Sequence, residues 1–163
     1  MRKSLDAISL AASVFIVWIT WQALYGPNAL PDRIPIHFDL AGHPNGWGTP
    51  ATLWILCAVP VGLYLFLGVM KTRLLKAAKY PVEVTDENRV RLEALNLDLM
   101  AWIKAEMICL FAWIQWSATQ AARYPERGFA AAPQLIAPLV VIFATVIWFK
   151  VAMRRVAHTG PDS

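Results

Sequence analysis

Four apolar stretches divide this chain, at about 5–25, 51–70, 99–120 and 133–153. A helix needs roughly 20 mainly apolar residues to cross a bilayer, because a rise of about 1.5 Å per residue must cover a hydrocarbon core about 30 Å thick. Three of the stretches contain long runs free of Asp, Glu, Lys and Arg, at 7–31, 40–70 and 128–149. The third stretch differs. It holds Lys104 and Glu106, and the uncharged run beyond them, 107–122, is only 16 residues long. A span there must take both charges into the membrane. Composition agrees: 58% of residues are hydrophobic and 16% charged, against about 45–50% apolar and roughly 25% charged in soluble domains. The expected fold is an all-α integral membrane protein of four transmembrane helices in a lipid bilayer.

Arg2 and Lys3 precede the first apolar run, as in a secretory signal. The run is longer than the roughly 7–15 residues of a signal h-region, and Ala23-Leu24-Tyr25 lacks a small-x-small cleavage pattern, so it reads as a retained span. Basic residues then orient the bundle. With the N-terminus inside, eleven fall on the cytoplasmic side, at 2–3, 71–91 and 150–155, and three fall outside, namely Arg33, Arg123 and Arg127. The positive-inside rule therefore places both termini in the cytoplasm of a multi-pass cell-membrane protein. Asn45 and Ala130 belong to the outer side, Lys79 and Ser163 to the inner. The net charge of +4 suits an anionic inner leaflet and calls for no nucleic-acid partner. Trp21, Tyr25, Trp47, Trp54, Trp116 and Tyr124 gather at the outer level, and Trp102 and Trp148 at the inner one. Interfacial belts account for such residues, since an indole is apolar but carries one N–H that needs a wet partner.

The two cysteines, Cys57 and Cys109, fall within spans and read as buried thiols acting as small apolar residues. No CxxC, P-loop, GxSxG or HExxH pattern occurs, and neither a cofactor nor a metal is expected. There is no internal repeat of the kind that marks many transporters. Between the second and third spans, the third helix should begin in the cytoplasm near a Thr85 or Asp86 cap, since Leu92, Leu95, Leu99 and Trp102 follow at helical spacing. The basic stretch 71–79 reads as an inner-leaflet anchor. Pro60, Gly62 and Pro138 suggest kinks.

The segment between the first two spans is Pro/Gly-rich and concentrates unusual chemistry, with two histidines, two aspartates, an arginine and a tryptophan in 30–48. Ile34, Ile36, Phe38 and Leu40 alternate with Pro35, His37 and Asp39. A period of two implies an extended segment with His37 and Asp39 on the same side. Gly42 and Asn45-Gly46 supply turn chemistry, because both residue types tolerate positive φ. An ordered extracytoplasmic strand-and-turn cap on the bundle is expected.

Leu30-Pro31, Ile34-Pro35, His37-Phe38, Gly42 and Pro44-Asn45-Gly46-Trp47-Gly48 together resemble a bacterial membrane domain of unknown function. Its pattern reads LP, IPxHF, G and P-D/N-G-W between two spans. The same domain forms the N-terminal part of SdpI-type immunity proteins, which protect a cell from its own secreted toxin and signal to a cytoplasmic repressor. The resemblance covers about 5–70. Thr49-Pro50 stands where the family usually has a basic residue, and no similarity extends beyond Met70. It implies an SdpI N-terminal-like unit over 1–70; the charge and hydropathy patterns add a cytoplasmic linker and helix extension over 71–98 and a second two-span hairpin over 99–163. Pro31, Pro35, Phe38, Gly42 and Gly46 fall on the structural motif. Asp39 and His43 fall where the pattern leaves the residue free.

The loop residues are compatible with several roles. His37 could hydrogen-bond backbone groups and pin the cap. Together with Asp39 and Trp47 it could bind a partner, such as a secreted peptide or another membrane protein. With Asp39 and His43 it offers donor types for a metal. Lys104 and Glu106 stand two apart on a helix and so face different sides. Lys104 is shallow enough to snorkel to the inner headgroups. Glu106 lies near the middle of the membrane, where an ionisable side chain is costly and is a functional candidate by default. Ser13, Tyr64 and Thr145 sit at the same depth as hydrogen-bond partners, which allows the alternative of a carboxyl that simply holds helices together. The function expected is an SdpI-like accessory, immunity or signalling role through the outer loop, without enzyme activity. Its alternatives are a membrane enzyme or metal-binding protein using His37, and a small ion or proton-coupled transporter centred on Glu106. Nothing in the residues fixes an oligomeric state.

Overall fold

The computed structural model describes residues 1–39, 41–127 and 132–158. Leu40, Ala130 and Ser163 lie outside the described residues. The chain runs through α1 (Arg2–Tyr25), β1 (Ile34–Phe38), β2 (Pro44–Gly48), α2 (Leu53–Lys76), α3 (Arg89–Arg123) and α4 (Ala132–His158). Short 3-10 turns at Pro50–Thr52 and Pro125–Arg127 precede α2 and α4. The molecule is mostly helical, and three helices are long and apolar enough to cross a membrane: Arg2–Tyr25, Pro50–Lys76 and Ile136–Val156.

α3, at 35 residues, is the longest helix and the most polar, and it packs against all three others. Its buried positions are dominated by small residues, including Ala101, Ala105, Ala112, Ser117, Thr119, Ala121 and Ala122. Lipid tails are as apolar as Leu, so helices in a membrane associate through close backbone approach rather than by hiding large side chains. Small residues permit that approach and also lower the mean hydropathy of the helix that carries them. α1 meets α3 through a similar stripe, with Ser9, Ser13, Ile16, Thr20 and Ala23 buried at helical spacing. The hydroxyls of Ser9, Ser13 and Thr20 donate to carbonyl oxygens one turn back, at 2.7–2.8 Å, which leaves no bare donor on that face. Large apolar side chains point the other way: Val69, Phe143 and Ile55 are 71%, 67% and 66% exposed. In water such surfaces would drive aggregation, whereas in a bilayer they meet acyl chains.

The regular part of α3 begins at Arg89, and the expected Thr85 cap is present just ahead of it, its carbonyl accepting from the Arg89 amide at 3.0 Å. Thr85 and Asn88 bond each other reciprocally, N–H to side-chain oxygen, at 2.9 and 3.3 Å, which is the pattern of a capping box. One expectation needs correction. The two cysteines are unlike: Cys57 is buried against Ile16 and Ile108, and Cys109 is exposed. Trp54 and Trp102, expected at the outer and inner levels respectively, are half-buried and pack against core clusters.

Candidate functional site

The hairpin between α1 and α2 is seated by its first strand. Ile34 is 1% exposed and packs with Ala23, Leu30, Leu53 and Ala122, joining the loop to α1, α2 and α3. The backbone of Leu30 donates to the carbonyl of Ala23 at 2.7 Å, which turns the chain back over the end of α1. Beneath the strands, Ile34, Phe38, Leu56, Ile114 and Ala118 border an apolar recess of about 360 Å³.

β1 and β2 pair antiparallel, with Ile34 opposite Gly48, Pro35 opposite Trp47, His37 opposite Gly46 and Phe38 opposite Pro44. The register is irregular between Pro35 and His37 and again between His37 and Phe38. A bulge displaces residues from strict alternation. Ile34 and Pro35 are therefore both buried, and Ile36 and His37 are both exposed, so the period-two reading of 34–40 does not hold through the strand. Glycine at 46 has a steric cause. A Cβ there would lie 2.8 Å from the Cβ of His37.

Asp39, not His37, ties the tip of the hairpin. One carboxylate oxygen accepts from the amides of His43 at 2.8 Å and Ala41 at 2.9 Å. The Asp39 amide donates to the His43 carbonyl at 2.9 Å, and Gly42 donates back to the Asp39 carbonyl at 3.0 Å. Gly42 has φ 85°, a region that L side chains avoid. The His43 amide, helped by that of Ala41, holds the Asp39 carboxyl below its ordinary value by bonding the charged form. The imidazole of His43 lies 3.5 Å from the other carboxylate oxygen. No hydrogen bond among the described residues involves the imidazole of His37, which is exposed; its stem faces Gly46. The proposed trio of His37, Asp39 and His43 is not brought together, and no group of three or more such donors lies within reach of one ion among the described residues.

The exposed side of the hairpin offers recognition groups. Trp47 is 45% exposed, and the guanidinium of Arg33 sits 5.8 Å from its ring centroid, in cation–π range. Pro31 is exposed, Phe38 half-buried, and Pro35 and Gly42 buried.

A second set of polar groups runs along α3. At one end Arg2 donates to Asp98 at 2.6 Å. Lys104 pairs with Asp6 at 2.5 Å and lies 4.9 Å from the ring centroid of Tyr64, so it reaches α1 and α2 rather than snorkelling unpartnered. Glu106 faces α4, where Thr145 donates to its Oε1 at 2.6 Å. The other carboxylate oxygen, Oε2, is buried with no hydrogen-bond partner among the described residues. Nearer the hairpin, the fully buried Gln115 donates to Thr20 at 2.7 Å and to the Leu53 carbonyl at 3.4 Å. Sequence reasoning missed Asp6 and Gln115. Asp6 precedes the first uncharged run and looks like a flank, and a lone Gln disappears in a hydropathy average.

Residues 12–60 match the family model described as a domain of unknown function (DUF1648). The matched stretch runs from within α1 through the hairpin into α2. No curated protein and no solved structure matches the chain.

Proposed function

With residues 12–60 carrying that domain, we propose that the chain is a four-span protein of the cell membrane that recognises a partner at its outer hairpin. Both termini lie in the cytoplasm, and α3 is the third of the four spans, its Lys104, Glu106 and Gln115 paired to the other helices. The role is that of an SdpI-like accessory, immunity or signalling protein rather than an enzyme, and the partner is a secreted peptide or another membrane protein. One observation carries this reading. The hairpin is anchored by Ile34 yet presents Arg33, His37 and Trp47 outward on a two-stranded frame. Ordered aromatic and guanidinium groups of this kind are what interface hot spots are made of.

The test is protection. A deletion strain exposed to medium conditioned by its parent should lose viability, and the wild-type gene should restore it. Trp47→Ala should fail to restore it while reaching the membrane at normal levels. Equal survival of deletion and parent strains, or full rescue by Trp47→Ala, contradicts the recognition role.

Glu106 supports a second reading, proton-coupled transport, because its Oε2 is buried without a partner among the described residues. Such a carboxyl has an acceptor position open to a proton or a passing ion. Proton flux into proteoliposomes that is abolished by Glu106→Gln would favour it.

A further inference from the structure

The α1–α2 side of the bundle holds two adjoining recesses away from the hairpin. At the end of α1 that bears Arg2, a cleft of about 310 Å³ is bordered by Arg2, Asp6, Tyr64, Gly68, Lys71 and Lys104. Further along the seam a recess of about 520 Å³ runs between Leu10, Val14 and Trp18 of α1 and Val61 and Leu65 of α2. The first is half polar and the second almost wholly apolar. Tyr64 borders both, so the two adjoin at its side chain. From Asp6 to Trp18 the helix climbs about 18 Å, close to one leaflet of a hydrocarbon core roughly 30 Å thick.

Charge decides what fits. Arg2 bonds Asp98 through Nε, which leaves its terminal N–H groups to point elsewhere. Lys104 is held by Asp6. Lys71 is exposed and makes no ion pair among the described residues. The cleft therefore has cationic donors in excess of its carboxylates, above an apolar slot. A free anion would not use the slot, and a zwitterionic lipid would leave the excess charge unmatched. We propose that this seam binds one anionic phospholipid of the cytoplasmic leaflet. Its phosphate meets Lys71 and the terminal N–H groups of Arg2, and an acyl chain lies along Trp18 and Leu65. The site rests on the four-span placement but not on the outer partner.

Native mass spectrometry of the detergent-purified full chain tests it, using phosphatidylglycerol and phosphatidylcholine with identical acyl chains and inorganic phosphate as competitor. One phosphatidylglycerol should be retained per chain in preference to phosphatidylcholine and should resist phosphate. Lys71→Gln should weaken it roughly fivefold, the effect of one basic residue near an anionic surface. Gly68→Leu should weaken it at least as much while helicity is kept, because a Cβ at Gly68 meets nothing within 4 Å and the larger side chain can enter the cleft. Equal retention of the two lipids, displacement by phosphate, or unchanged retention in both variants overturns the proposal. A chain that cannot be reconstituted into vesicles overturns the membrane placement and this site with it.

Discussion

Asp39 and Glu106 are both carboxylates, and their surroundings separate them. Asp39 sits in water at the hairpin tip and is tied to backbone amides. Because those bonds lower its folded value below the ordinary 3.8, its contribution to hairpin stability is complete above that pH. The contribution is lost as pH falls through the lower folded value. Amide protection of Ala41 and His43 should therefore drop in acid, and Asp39→Asn, which still accepts but cannot titrate, should abolish the acid step. His37→Ala should leave this protection nearly unchanged. Gly42→Val and Gly46→Ala should each lower the melting temperature in detergent, at a cost of about 1–3 kcal/mol from a disallowed φ and from overpacking against His37 respectively. For Glu106, Gln keeps an oxygen for Thr145 and should leave melting intact. A Gln variant that folds normally but loses the cellular phenotype would show that a proton or charge is used, and a fully active Leu variant would remove Glu106 from consideration. Thr145 was among the partners that a depth count along the spans puts level with Glu106. Lys104–Asp6 could not be found that way, because it depends on how α1 and α3 are rotated about their axes.

At the scale of elements, hydropathy located α1, α2 and α4, because each turns large apolar side chains outward and such residues dominate any average. It gave a weaker signal for α3. That helix is lined with Ala, Ser and Thr where it meets its neighbours, and small residues look indifferent on a hydropathy scale even though they permit the closest packing. Ala105→Leu or Ala112→Leu should therefore destabilise the bundle by about 1–3 kcal/mol despite raising hydropathy, as thermal unfolding in detergent would measure. The hairpin's turn was legible in Gly42, whereas its bulge was not, since nothing local in Ile34-Pro35-Ile36-His37 marks where alternation breaks. Ile34→Ala should cost about 2–5 kcal/mol and release the hairpin to protease while the helices stay intact. Cleavage no faster than in the wild type would mean that the hairpin is held elsewhere.

For the whole molecule, the account turns on whether the polar helix α3 crosses the membrane. Its ion pairs and hydrogen bonds are made to neighbouring helices, with Asp98 and Lys104 paired to α1, Gln115 bonded to α1 and α2 and Glu106 to α4, which is how polar groups are accommodated within a bilayer. The basic residues on either side then follow the positive-inside pattern. Single cysteines at Asn45, Lys79, Arg123 and Arg154, in a Cys57→Ala, Cys109→Ala background, can be labelled with a membrane-impermeant maleimide on intact cells. The account predicts labelling at Asn45 and Arg123 without permeabilisation, and at Lys79 and Arg154 only after the membrane is opened. Lys79 and Arg123 reacting from the same side would contradict it.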